Sequence, residues 1–117
     1  MYLRILSVLL PVTIVFMGQS AFADCDGVGC NNVKIEMLYV ASGVTYLKTS
    51  GTETQLDNCV PVSGIMVSLD HSHSSADKIY ALLLTAYTGK LNVNLRFNDT
   101  AGNSGACKIN YAVLENN

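Results

Sequence analysis

The sequence predicts a mainly β domain, a five-stranded Greek-key barrel with one helix between strands 3 and 4. Three observations carry this expectation. Apolar residues alternate with period two along most of residues 33–114. The period shifts to helical spacing once, near residue 76, and returns to two by residue 91. Four cysteines supply staples for a domain too short to bury a large core.

The elements follow in order. Residues 24–32 form a Gly- and Cys-containing leader, in which Cys25 and Cys30 can close a small loop. Val33, Ile35, Met37 and Tyr39 then share one face of a first strand. Ala41-Ser42-Gly43 turns the chain, and residues 44–49 form the hairpin partner. A polar connection leads to a third strand within residues 60–69, clearest at residues 65–69. The large apolar residues of the next segment, Ile79, Tyr80, Leu83, Leu84 and Tyr87, have helical spacing over residues 75–88. Ser74 or Ser75 is the expected N-cap, Asp77 suits the positive first turn, and Gly89 is the expected C-terminal cap. Leu91, Val93, Leu95 and Phe97 restore strand period, with Asn92, Asn94 and Arg96 on the other face. A small-residue loop over 98–106 leads to a last strand with Ile109, Tyr111 and Val113 on one face.

Three strands, a helix and two strands is the order of the OB-fold. A β-sandwich asks for about seven strands and no central helix. A ferredoxin-like fold asks for two helices. In the OB arrangement the third and fifth strands pair in parallel, and the last strand is also expected beside the first.

Residues 1–23 have the three parts of a secretory signal: a positive start at Arg4, an apolar run from Ile5 to Met17, and Ala21-Phe22-Ala23 before Asp24. The run is too short for a permanent span. Cleavage after Ala23 leaves residues 24–117 as a single OB-like domain, secreted or periplasmic, with no membrane attachment. No lipobox precedes Cys25. With Arg4 removed, six scattered basic residues stand against nine acidic ones, a net charge near −3. That distribution offers no footprint for nucleic acid.

An even cysteine count in a small exported chain reads as two disulfides. Cys59 stands before strand 3 and Cys107 before strand 5, so a bridge between them would pin the seam, leaving Cys25–Cys30. Cys30–Cys107 with Cys25–Cys59 is the alternative pairing. A four-thiolate zinc site needs two close pairs, whereas Cys59 and Cys107 stand alone.

Candidate sites are few. Asp70, His71 and His73 form the one cluster resembling a metal site, but a solvated loop entering a helix is the favoured reading and no metal is expected. The nine acids show no spacing that would separate two pKa values, and Ser72, Ser74 and Ser75 have no arguable histidine–acid pairing. No enzymatic activity and no cofactor are expected. Asn92, Asn94, Arg96, Asn98, Asp99, Asn103 and Ser104 suit hydrogen bonding to a hydroxyl-rich ligand, because strand-connecting loops of OB barrels carry such sites. Ala81, Leu82, Thr85 and Ala86 make a second apolar helix face, opposite Tyr80, Leu84 and Tyr87, and suggest a subunit interface.

A disulfide-stapled, exported OB domain with a long helix between strands 3 and 4 resembles the pentameric B subunits of bacterial A–B toxins. The local likeness runs through residues 77–87 and the strand over 91–97. The resemblance implies a helix lining a central pore and glycan binding at the barrel rims. The chain departs from the family in having no tryptophan and in its cysteine placement. The expected function is therefore a non-enzymatic binding module for a glycan or protein surface, forming a homo-oligomer. The alternatives are an envelope or stress protein binding a small ligand or cation, and a small secreted enzyme inhibitor.

Overall fold

The computed structural model describes residues 11–14, 23–98 and 106–116. Most of the signal-like segment therefore lies outside the described residues. The protein is mainly β, with seven strands in two antiparallel sheets and one α-helix among the described residues. The strands are β1 (Asp24–Asp26), β2 (Gly29–Val33), β3 (Ile35–Ala41), β4 (Val44–Thr49), β5 (Val67–Asp70), β6 (Val93–Phe97) and β7 (Ile109–Leu114). The helix, α1, is Ala76–Gly89, within one residue of its predicted span at each end. One sheet runs β1-β2-β6-β7 and the other β3-β4-β5.

The sheets do not close into the expected five-stranded barrel. Residues 60–66 stay out of strand because Pro61 and a left-handed pair, Ser63 and Gly64 (φ 55° and 74°), turn the chain back on itself. This leaves β5 only four residues long. β5 and β7 meet in a single parallel bridge, Ser68 with Lys108, where the Ser68 N–H donates to the Cys107 carbonyl at 2.8 Å. Nor does the last strand pair with the expected first strand, because most of that strand is β3, which lies in the other sheet from β7.

The leader is a hairpin, with Cys25 directly opposite Cys30 in the β1–β2 register. Both predicted disulfides are present, Cys25–Cys30 and Cys59–Cys107. Lys34 separates β2 from β3, and the two halves diverge to different sheets.

Three bulges decide which side chains face the core. The first lies at Asn31–Asn32, between the Cys30–Leu95 and Val33–Val93 pairs. Asn32 is left-handed there (φ 52°), and its N–H is satisfied by Asn94 Oδ1 at 2.8 Å. The second lies between Ile35 and Met37, and it reverses the faces of β3. Ile35 is buried, Leu38 packs on the core, and Tyr39 turns outward to stack on Tyr46 with centroids 5.9 Å apart. The third places Asn110 as the extra residue of β7, so Ile109 and Ala112 face in while Tyr111 and Val113 face out. An inserted residue inverts the alternation downstream of it, which is why the predicted faces of the first and last strands fail.

The core comprises Val33, Ile35, Leu47, Val67, Leu69, Val93, Leu95, Phe97 and Ile109, with Ile79, Leu83 and Ala86 from α1. The helix packs across β3, β5 and β7. Its buried stripe is Ala76, Ile79, Leu83 and Ala86, whereas Leu84 and Tyr87 are exposed. Ser75 N-caps it without a side-chain bond, and Lys90 (φ 53°), one residue beyond the predicted Gly89, is the C-cap.

Candidate functional site

The site is built where the start of α1 crosses the β3–β4–β5 sheet. Bulging of β3 aims Val40 toward this crossing, next to Thr45, its partner on β4. Leu69, opposite Thr45 on β5, is fully buried beneath them. The chain leaves β5 at His71, whose N–H donates to the Gly43 carbonyl at 3.0 Å and whose Nε2 lies 2.9 Å from Thr45 Oγ1. These two bonds tie the imidazole to the β3–β4 hairpin. Ala76, Asp77 and Tyr80 from the first turns of α1 form the opposite wall. Between them lies a half-open cleft of about 310 Å³, lined by Val40, Thr45, Leu69, His71, Ala76, Asp77 and Tyr80.

A smaller cleft of about 170 Å³ adjoins it and shares His71, Ala76 and Asp77. Its further lining is His73, Ser74, Ser75 and Lys78. The Ser75 N–H donates to His73 Nδ1 at 2.9 Å, so Nδ1 carries a lone pair and Nε2 donates to the Asn110 carbonyl at 2.8 Å. His73 thus fastens the helix start to β7.

The proposed cation cluster does not assemble. Asp70 pairs with Lys108 at 3.0 Å, His71 is bonded to Thr45, and His73 spans Ser75 and Asn110. Among the described residues no three His, Cys, Asp or Glu side chains come together as a metal site.

The proposed ligand-binding residues divide similarly. Asn92 Oδ1 accepts from Lys34 Nζ at 2.9 Å, and Asn94 serves the β2 bulge. Arg96 is exposed opposite Tyr111. The Asn98 N–H donates to the Lys108 carbonyl at 2.9 Å. Asp99, Asn103 and Ser104 lie outside the described residues. Asn92, Asn94, Arg96 and Asn98 do not line either cleft.

On α1 the proposed interface needs correction. Ala86 is fully buried in its own protomer and Leu82 packs partly on the core, whereas Ala81 and Thr85 are exposed. The outward face is Asp77 and Lys78 in the first turn, then Ala81, Leu84, Thr85, Tyr87 and Thr88. Thr85 and Thr88 turn their hydroxyls back to the Ala81 and Leu84 carbonyls at 2.8 and 2.9 Å. Beyond the first turn the exposed side chains of α1 carry no charge.

Sequence reasoning singled out His71 but missed Val40, Thr45, Leu69, Asp77 and Tyr80 as a group. Four separate segments supply them, and no local spacing links them. Comparison with protein-family models, with curated proteins and with solved structures found no match. Among the described residues no helix is long and apolar enough to cross a membrane.

Proposed function

We propose that this chain is an exported, non-enzymatic binding module of OB-like architecture that recognises a glycan or protein surface through the cleft between α1 and β3–β5. The observation that carries the reading is the cleft's composition. Apolar walls from Val40, Leu69, Ala76 and Tyr80 surround a few convergent polar groups, the usual make-up of a ligand site. Binding is favoured over catalysis because Thr45, the hydroxyl beside His71, is buried and bonded to that imidazole. It is poorly placed to attack an external substrate.

Strand order supports the OB-like reading. β2 and β3 form one interrupted strand shared between both sheets, α1 stands between β5 and β6, and the Ser68–Lys108 bridge sets β5 beside β7 in parallel. Two disulfides and the signal-like residues 1–23 support export. Self-association belongs to the same reading, through the uncharged outward side chains of α1 beyond its first turn.

The test is a screen of the processed protein against immobilised glycans and peptides, run in parallel with Tyr80→Ala. Ligands retained by the wild type and lost by Tyr80→Ala support the reading. Ligands held equally by both remove the cleft from it. Light scattering on wild type and Leu84→Glu tests association, which the charge is expected to abolish.

A further inference from the structure

Building on that reading, we infer that the cleft accepts one lysine side chain presented by a protein partner. Asp77 is the only carboxylate or ammonium group in the cleft lining. It has no ion-pair partner among the described residues. Lys78, its neighbour in sequence, lines the smaller cleft and not this one. The other polar side chains of the lining are His71 and Thr45, bonded to one another through Nε2 and Oγ1 at 2.9 Å, and Tyr80 with its hydroxyl.

The cleft thus offers one carboxylate, without an ion-pair partner among the described residues, at the edge of an aliphatic and aromatic channel. A neutral pyranose makes no use of that charge. Lysine matches it: a four-carbon stem lies along Val40, Ala76 and Tyr80, and its ammonium reaches the Asp77 carboxylate. The Tyr80 ring adds a favourable surface for a cation. An anionic group would meet Asp77 unfavourably. Excess negative charge on the chain, nine acidic against seven basic residues, also attracts basic partners.

The experiment is an NMR titration of the labelled, oxidised protein with N-acetyl-lysine methylamide, N-acetyl-norleucine methylamide and methyl glucoside. The lysine probe is expected to shift Val40, Thr45, His71, Asp77 and Tyr80 amides with a dissociation constant on the order of 1 mM. The norleucine probe should bind about threefold to fivefold more weakly, and Asp77→Asn should erase the difference between the two. Asp77 is exposed, so this variant keeps its fold. Equal binding of lysine and norleucine, or a lysine preference that survives Asp77→Asn, overturns the inference. Methyl glucoside shifting these amides while lysine does not overturns the ligand class and leaves the binding site standing. If none of the probes shifts them, lysine recognition is refuted, and a Tyr80-dependent hit in the glycan and peptide screen would still separate that failure from failure of the cleft.

Discussion

Removing the Cys59–Cys107 bridge tests how the two sheets are held together. The bridge joins residues 48 apart in sequence, and apart from it β5 and the approach to β7 are joined by one parallel bridge, the long Ser68 hydroxyl bonds to the Ala106 and Cys107 carbonyls at 3.4 and 3.3 Å, and the Asp70–Lys108 ion pair. Closing a loop of that length in the unfolded chain removes entropy equivalent to about 4 kcal/mol at 25 °C. The Cys25–Cys30 loop, with a separation of 5, gives about 2 kcal/mol by the same relation. The exposed ion pair adds at most about 1 kcal/mol. A Cys59→Ala/Cys107→Ala protein is therefore expected to lose about 4 kcal/mol, a fall in Tm of roughly 15 °C or more for a domain of this size. Urea unfolding followed by circular dichroism measures it, and the m-value should rise because the unfolded chain expands. A loss below about 1 kcal/mol with unchanged m would refute the seam reasoning.

Three further outcomes follow from packing. Gly51→Ala places a Cβ 2.7 Å from Cys25 Sγ and 3.0 Å from Val33 Cγ1, so a loss of about 1–3 kcal/mol is expected in the same assay. Glu53 is buried, and its Oε1 accepts from the Thr49 N–H at 2.7 Å and the Thr49 hydroxyl at 2.8 Å. Glu53→Ala should cost about 3 kcal/mol, and Glu53→Gln, which keeps a carbonyl acceptor, should recover most of it. Leu83→Ala should cost about 2–5 kcal/mol and Leu84→Ala less than about 0.5 kcal/mol; reversed sensitivities would mean that the helix register described here is wrong.

The helix and both disulfides were legible because their signals are local or countable. A change from period two to helical spacing marks α1, and four cysteines permit few pairings. Strand faces were less legible, since bulges at Asn31–Asn32, between Ile35 and Met37, and at Asn110 invert alternation without a compositional mark. β1 and β2 were read as a leader because Asp-Cys-Asp and Gly-Cys-Asn-Asn-Val have weak strand propensity. Pairing with β6 and the Cys25–Cys30 bridge hold them extended. The helix register was misread because Leu84 and Tyr87 compete with Leu83 and Ala86 for the buried stripe, and volume favours the wrong pair. Small Ala86 is buried where the helix lies close to the sheets, and Tyr87 is left outside. Of the site, the sequence showed His71 as a ligating residue type, but its bond to Thr45 depends on the β3–β4 hairpin meeting the end of β5.

The most direct measurement for the central claim is an amide chemical-shift map of the strongest ligand emerging from the glycan and peptide screen. Perturbations centred on Val40, Thr45, His71, Asp77 and Tyr80 are predicted, with smaller effects along the first turns of α1. Perturbations centred instead on Asn92, Asn94, Arg96 and Tyr111, with the cleft unmoved, would contradict the account.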